Sequence, residues 1–209
     1  MKKLFFILAL SLIIFRFFLA PHLLFYFAEN DKYSGCVDIL LKTGIQPDIR
    51  KDIMFFKNQT PLMIACKYGA IKNAEILLKN GAGPNAEDGH KNSPLFYAYL
   101  AVDNAYNVVE KLMTLLLSSG ADINHQNMNG SSLLISAAST NRYKIVEFLI
   151  KNGADPYIKN SRGDNALNDT IKFNKILRRS CIYNHSDYLK TIEILKKYMK
   201  ETKQGESKK

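Results

Sequence analysis

The stretch of sequence that decides the fold runs from Thr60 to Ala82. It begins Thr60-Pro61-Leu62-Met63-Ile64-Ala65-Cys66 and ends Ala74-Glu75-Ile76-Leu77-Leu78-Lys79-Asn80-Gly81-Ala82. Leu62 and Ala65 are three residues apart and therefore share one helical face. A hydroxyl residue followed by proline is typical of a helix start, and glycine is typical of a helix end. The stretch therefore predicts two short helices joined by a turn.

The same unit recurs along the chain. Ser93-Pro94-Leu95 restarts it 33 residues after Thr60, and Ser132-Leu133-Leu134 opens a third copy that ends at Gly153. In the second helix of that copy, Val146, Leu149 and Ile150 have the i, i+3, i+4 spacing of one apolar face. The closing half of the middle copy returns six residues late, which predicts an insertion within Ala101 to Val109. A simple lengthening of helices and a loop that reaches a partner both explain this insertion.

Degenerate copies flank these three. Val37, Leu40 and Leu41 repeat the second-helix pattern upstream, and Ile192 with Leu195 supplies apolar positions for a last helix. The predicted organisation is a degenerate N-terminal capping repeat with a long loop (22–58), a repeat (59–91), a repeat with the insertion (92–130), a repeat (131–163), a C-terminal capping repeat (164–200) and a basic disordered tail (201–209).

The 33-residue period and Thr60-Pro61-Leu62 with Ala65 resemble the ankyrin repeat, whose motif is T-P-L-H-x-A, although Met63 replaces the motif's histidine. The resemblance implies an all-α solenoid of about five helix-turn-helix units with short hairpin loops, preceded by a hydrophobic N-terminal helix. It also implies binding of a partner protein on the concave surface that hairpin tips and first helices form.

The N-terminal segment has the pattern of an export signal. Met1-Lys2-Lys3 precedes an apolar run from Leu4 to Phe15. Residues 1–20 are therefore predicted to be a signal peptide or a membrane anchor, since Ala20 is a poor cleavage site and the run is short for a spanning helix. Cleavage would give a periplasmic or secreted protein, and retention a single-pass membrane protein. A hydrophobic helix packed on the following domain is the remaining alternative.

The distribution of charge argues against a nucleic-acid-binding protein. The chain has a net charge of +10, but residues 21–169 are balanced and residues 170–209 hold eleven basic against four acidic residues. Lysines near the C-terminus, such as Lys196 and Lys197, are either a solvated tail or a contact for anionic lipid. The second reading gives an alternative function as a membrane-associated structural or spacer protein. The lysine, isoleucine and asparagine content, with the Lys2-Lys3 start, favours a bacterial source.

The sequence holds no convincing catalytic or metal-binding group. Cys181, His185 and Asp187 have part of a metal-site spacing, but a closed zinc site requires four ligands. Three cysteines, an odd number, argue against a disulfide framework. We therefore predict a monomeric protein that is not an enzyme and has no cofactor or metal, with an unidentified protein as partner.

The candidate binding residues follow from the family resemblance. Phe56 and Tyr68 are the expected anchors, because aromatic side chains dominate interface hot spots. The apolar run from Ile53 to Phe56 is either part of the binding surface or buried against its own repeats. The candidates carried over by position are Phe56, Lys57, Gln59, Lys67, Tyr68, His90, Asn92, Leu100, Met128, Asn129, Ser131, Ser161, Arg162, Asp164 and Lys172.

Overall fold

The computed structural model describes residues 19–53, 56–101, 106–177 and 185–206. The chain divides into two compact units, Met1–Ala121 and Asp122–Lys209. Each unit consists of helix pairs of the predicted kind, so the prediction of a helical repeat fold is confirmed.

The described residues of the first unit form three helix pairs. In each neighbouring pair of repeats, first helices pack on first helices and second helices on second helices. Thus α3 contacts α1 and α5, whereas α4 contacts α2 and α6. The elements are α1 (Ala20–Ala28), a 3₁₀ turn (Asp31–Tyr33), α2 (Ser34–Lys42), β1 (Lys51–Ile53), β2 (Phe56–Gln59), α3 (Pro61–Lys67), α4 (Ile71–Lys79), α5 (Pro94–Tyr99) and α6 (Tyr106–Ser118).

The second unit contains two helix pairs. Helix α7 packs against α8 and α9, and α10 packs against α8 and α9, so that two repeats stack in the same manner. Ile192 and Leu195 are buried, as the pattern for the last helix predicted. The elements are α7 (Leu133–Ser139), α8 (Tyr143–Lys151), α9 (Ala166–Leu177) and α10 (His185–Glu206).

The first helices begin where the hydroxyl residues predicted. The Thr60 hydroxyl accepts a hydrogen bond from the Met63 N–H (3.3 Å), and the Met63 sulfur accepts one from the Thr60 N–H (3.4 Å). Met63 therefore closes a capping box at the position where the family motif has histidine. Ser132 caps α7 through the Ile135 N–H, but Ser93 makes no side-chain cap on α5. Proline at the first position still favours the start of α5.

The core of each unit consists of the periodic apolar positions. Leu62, Ala65 and Leu77 are fully buried in the first unit. In the second unit, Val146 and Leu149 are fully buried. Burying a leucine-sized side chain contributes about 1.5–3 kcal/mol, so these small faces become stable only when the helix pairs stack.

Three features differ from the sequence expectation. The long loop after α2 contains an antiparallel hairpin, in which Lys51 pairs with Gln59 and Ile53 with Phe56. Helix α6 has 13 residues against nine in α4, so part of the insertion lengthens one helix. The predicted disordered tail from residue 201 is wrong up to Glu206, because α10 continues to that residue through strong helix formers such as Lys and Glu.

The predicted signal or anchor at residues 1–20 lies almost wholly outside the described residues. Within the described ranges, none of the helices combines the length and the apolar character needed to cross a bilayer.

Candidate protein-binding surface

At three of the inter-repeat hairpin tips, one side chain holds the backbone of the loop. Asp88, Asn127 and Asn160 occupy equivalent positions, and each accepts hydrogen bonds from the backbone N–H groups two and four residues later. The distances are 2.8 Å for both bonds to Asp88 and 3.0–3.1 Å for those to the two asparagines. These bonds fix the tips without a disulfide or a metal.

The tip of the first unit is closed by a buried network. The Tyr97 hydroxyl donates to Asp88 Oδ2 (2.7 Å), and Gln59 Nε2 donates to the Tyr97 oxygen (2.7 Å). Asn92 Nδ2 also donates to Asp88 Oδ2 (3.1 Å). All four residues are buried. The network therefore joins β2, the tip and α5 into one rigid assembly.

Burial raises the pKa of the Tyr97 phenol well above its usual range, and its hydrogen bond to Asp88 acts in the same direction. The phenol is a hydrogen-bond donor to the carboxylate and would lose that bond on ionisation. Tyr97 therefore acts as a neutral structural donor at physiological pH.

The last tip of the second unit is closed by two ion pairs. The Arg162 guanidinium binds Asp169, and Lys172 Nζ lies 2.6 Å from Asp164 Oδ1. Both carboxylates are buried, whereas the side chains of Arg162 and Lys172 are 69% and 66% exposed. Asn160 Nδ2 donates to Asp169 Oδ1 (3.1 Å), which ties α9 to the tip. This tip consequently presents cationic groups to solvent.

Further polar links join neighbouring repeats within the first unit. Asp31 accepts from the N–H groups of Lys72 (3.1 Å) and Asn73 (2.9 Å), and it thereby caps α4 from the preceding repeat. Asn73 Nδ2 donates to the carbonyl oxygens of Phe27 and Ala28 at the end of α1.

The second unit has equivalent links. Asn141 and Asn174 exchange side-chain amide hydrogen bonds (2.9 and 3.2 Å). The Ser161 N–H donates to the Asn129 carbonyl (2.9 Å), and Gly130 permits this approach, because a Cβ atom there would lie 3.0 Å from Ser161 N. Gly130 also has φ +66°, which favours glycine.

Several predicted binding residues are exposed, as a contact surface requires. Tyr68, Leu100 and Met128 expose 43%, 44% and 58% of their surface. Lys67 Nζ lies 5.6 Å from the centre of the Tyr68 ring, within cation–π range. The other exposed candidates are His90, Asn129, Ser161, Arg162 and Lys172, and Ser131 is half-buried.

Three predicted binding residues are instead buried. Gln59 is fully buried against Tyr97, Asn92 binds Asp88, and Asp164 binds Lys172. Their polar atoms hold the frame of the tips, so they are not the exposed contact residues that the sequence predicted. Phe56 and Lys57 lie on β2, and the positions of their side chains are not described. The alternatives for the run from Ile53 to Phe56 therefore stay open.

Helix α9 has an exposed apolar pair that is not among the predicted binding residues. Phe173 and Ile171 expose 41% and 42% of their surface beside Lys172. The spacing of the repeats could have identified Phe173. Asn165 is 33 residues after Ser132 and so begins the next repeat. Phe173 lies eight residues after Asn165, just as Tyr68 lies eight residues after Thr60.

The described residues contain no cluster of three histidine, cysteine or acidic side chains able to hold a metal ion. Cys181, which has part of a metal-site spacing in the sequence, lies outside the described residues. Cys66 is buried in the core. Burial raises the pKa of its thiol, so the reactive thiolate form is disfavoured.

Stacked helix pairs with rigid, exposed tips define the class of helical repeat proteins. Family models described as "Ankyrin repeats (3 copies)" and "Ankyrin repeats (many copies)" match residues 24–124 and 116–168. The chain belongs to the ankyrin-repeat family. Ankyrin repeats generally mediate protein–protein interaction.

The chain is also similar to curated ankyrin proteins. It is 32% identical over 141 residues to the mouse B-cell lymphoma 3 protein homolog, covering 67% of this chain and 30% of that protein. A putative ankyrin repeat protein of Acanthamoeba polyphaga mimivirus is 32% identical over 155 residues, covering 70% of this chain and 36% of the relative. The phosphocholine transferase AnkX of Legionella pneumophila is 28% identical over 134 residues, covering 64% and 14%. The matched region thus spans between 14% and 36% of the length of these relatives.

Proposed function

We propose that this protein is a non-catalytic interaction module that binds a partner protein through a tip surface. The tip surface comprises the exposed and half-buried side chains of the hairpin tips and of the ends of the first helices, in each unit separately. Its members in the first unit are Lys67, Tyr68, His90 and Leu100, and those in the second are Met128, Asn129, Ser161, Arg162, Lys172 and Phe173.

The observation that carries the proposal is the combination of a rigid frame with large exposed apolar side chains. Hydrogen bonds from backbone N–H groups to Asp88, Asn127 and Asn160 fix the tips before any partner arrives. Tyr68 and Met128 are nevertheless exposed on this frame. A pre-organised surface loses less conformational entropy on binding, and exposed aromatic and sulfur-containing side chains are enriched at interface cores.

Capture by the immobilised full-length chain tests this function. We expect a specific partner whose retention falls at least about tenfold for the double variant Tyr68→Ala/Leu100→Ala or for Met128→Ala. Ile39→Ala is the matched control, because Ile39 is 63% exposed on the outer helix α2. Equal retention by all variants would remove the tip surface as the binding site.

We do not extend the transferase activity named for AnkX to this chain, which spans 14% of that protein. The described acidic groups at the tips support this view, because Asp88, Asp164 and Asp169 are engaged in structural hydrogen bonds or ion pairs. Incubation of the purified chain and its captured partner with a phosphocholine donor should leave the mass of the partner unchanged.

For location we propose export, on the basis of the Lys2-Lys3 start and the apolar run from Leu4 to Phe15. Fractionation of expressing bacteria with intact-mass analysis tests it. A soluble periplasmic or secreted species lighter by residues 1–20 indicates cleavage, and a full-length membrane species indicates an anchor. A full-length cytosolic species would contradict export.

A second candidate function is a spacer whose basic end contacts anionic lipid. Lys196, Lys197 and Lys200 are exposed on α10, which favours it. It predicts salt-sensitive binding of the full-length chain to vesicles of anionic lipid, and it fails if the vesicles do not bind at low salt.

A further inference from the structure

A pocket of about 310 Å³ lies in the second unit, at its last hairpin tip and helix α9. Its lining consists of Arg162, Asp164, Asp169, Lys172 and Phe173. Ligand pockets range from about 300 to 1,000 Å³, so this pocket is small. It has room for one or two side chains of a partner.

The charges of the pocket are arranged in two layers. Asp164 and Asp169 are buried, and their partners Lys172 and Arg162 keep about two thirds of their side-chain surface exposed. The carboxylates thereby hold the two cationic heads at the wall of the pocket. The ion pairs already restrict the rotamers of Lys172 and Arg162. Binding of a partner to these two cations therefore costs less side-chain entropy than binding to isolated surface lysines or arginines.

Both cations have further donors for a second anion. A guanidinium group has five N–H donors and an ammonium group has three. Arg162 Nη2 donates to Asp169, and Lys172 Nζ donates to Asp164. A guanidinium group binds carboxylates in a bidentate manner. The Phe173 ring, 41% exposed, supplies an apolar wall beside these donors.

The charge of the surrounding sequence favours an anionic partner over the long range. Residues 122–169 are balanced, with five basic and five acidic residues, and residues 170–209 carry eleven basic and four acidic ones. The second unit therefore attracts acidic partners and raises their rate of encounter at low salt.

We propose that this pocket binds a short acidic segment of the partner protein, with carboxylates on Arg162 and Lys172 and a neighbouring apolar side chain on Phe173. The inference rests on the proposed function and names the chemistry of the partner. A concave site of this size with an apolar wall fits a peptide side chain better than a flat lipid surface.

The test selects a random peptide library, displayed on phage, against the immobilised full-length chain. We expect the enriched peptides to combine acidic residues with an aromatic or aliphatic residue. Synthetic copies of these peptides, labelled with fluorescein, are then titrated against the wild-type chain and its variants. Phe173→Ala and Arg162→Gln should each weaken binding at least about tenfold. Raising the salt concentration should weaken wild-type binding.

Lys151→Gln is the matched control for charge. Lys151 is an exposed, ion-paired lysine of the same unit outside the pocket, with its Nζ 3.1 Å from Glu147 Oε1. Its loss should change the affinity less than about twofold. Phe173→Ala leaves both ion pairs intact, so it separates the loss of binding from any loss of stability caused by Arg162→Gln.

The outcomes distinguish this inference from the proposed function. If the enriched peptides bind the Phe173→Ala and Arg162→Gln variants as tightly as wild type, the pocket is not their binding site. The proposal of an interaction module is not affected by that result. Enriched peptides without an acidic excess overturn the assigned chemistry. Binding of anionic vesicles with no enrichment of peptides overturns the peptide assignment in favour of lipid. Failure of the proposed function appears separately, as a lack of any partner specific for the Tyr68 and Met128 surface.

Discussion

The tip at Asp88 in the first unit and the tip at Asn160 in the second share one backbone geometry but distribute their charge in opposite ways. In the first, the loop residue is the carboxylate, and Tyr97, nine residues later, is its neutral donor. In the second, the loop residue is an amide, and Asp169, nine residues later, is the carboxylate. These two tips thus share an oxygen in the loop and a partner on the following helix, but they differ in which of the two is charged.

This difference determines what each tip presents to a partner. The Asp88 carboxylate is satisfied by backbone N–H groups and by buried Asn92 and Tyr97. The Asp169 carboxylate recruits the exposed Arg162 as well. The first tip is therefore a closed structural joint, and the second has a charged pocket.

The largest effect is expected from breaking the first tip with Asp88→Ala. The change removes the acceptor for two backbone N–H groups and for two buried side chains. We expect a loss of about 3 kcal/mol in the free energy of unfolding, measured by urea denaturation with far-UV circular dichroism. Asp38→Ala, which removes an exposed i, i+4 ion pair on α2, should cost less than about 0.5 kcal/mol. Equal losses for both variants would refute the role of the tip network.

Asp169→Ala breaks the second tip, and we expect a smaller loss of about 2 kcal/mol. The carboxylate accepts hydrogen bonds from Asn160 and Arg162. Arg162 is exposed, so its guanidinium group can be hydrated by solvent once the carboxylate is removed. Glu147→Ala, which removes an exposed partner of Lys151, is the control and should change the stability by about 0.5 kcal/mol or less. A loss greater than that of Asp88→Ala would reverse the comparison.

Tyr97→Phe sharpens the comparison by removing only the phenolic hydroxyl of the first tip. We expect a loss of about 1 kcal/mol at neutral pH. Because the pKa of Tyr97 is raised in the folded protein, its stabilising effect is complete below the unfolded value of about 10 and decreases as pH rises above it. The stability difference between wild type and variant should therefore decrease above about pH 10. A difference that grows with pH would contradict the assignment of a neutral donor.

The smallest effect is expected for Arg162→Gln. The side chain is 69% exposed, so the loss of its ion pair should cost about 0.5 kcal/mol in stability while its effect on peptide binding remains large. Thermal denaturation and peptide titration of the same samples measure the two effects. A stability loss as large as that of Asp169→Ala would make Arg162 a structural residue.

Much of the frame could be predicted from sequence because it repeats. Thr60 and Ser132 cap their helices as the repeated motif indicated, and Gly153 has the positive φ of a helix end. The hairpin of β1 and β2 could not be predicted in this way, because it lies in the lengthened loop that no other repeat shares. Ser93 shows that an equivalent residue need not make an equivalent bond.

Fewer of the binding residues than of the frame residues could be predicted from the sequence. Gln59, Asn92 and Asp164 are polar loop or strand residues, which sequence alone places at the surface. Their burial depends on a side chain in the following helix, Tyr97 for the first tip and Lys172 for Asp164, and such pairing is visible only in the folded chain. Phe173 was missed because α9 diverges from the apolar pattern of the other first helices.

Hydroxyl-radical footprinting of the full-length chain, with and without its captured partner, tests the central claim most directly. It reports the solvent exposure of side chains that are large and exposed in the free protein. The account predicts that oxidation of Tyr68, Leu100, Met128 and Phe173 decreases in the complex, while that of Tyr26 and Ile39 on the first repeat is unchanged. Protection of Tyr26 and Ile39 with no change at the four tip-surface residues would contradict it.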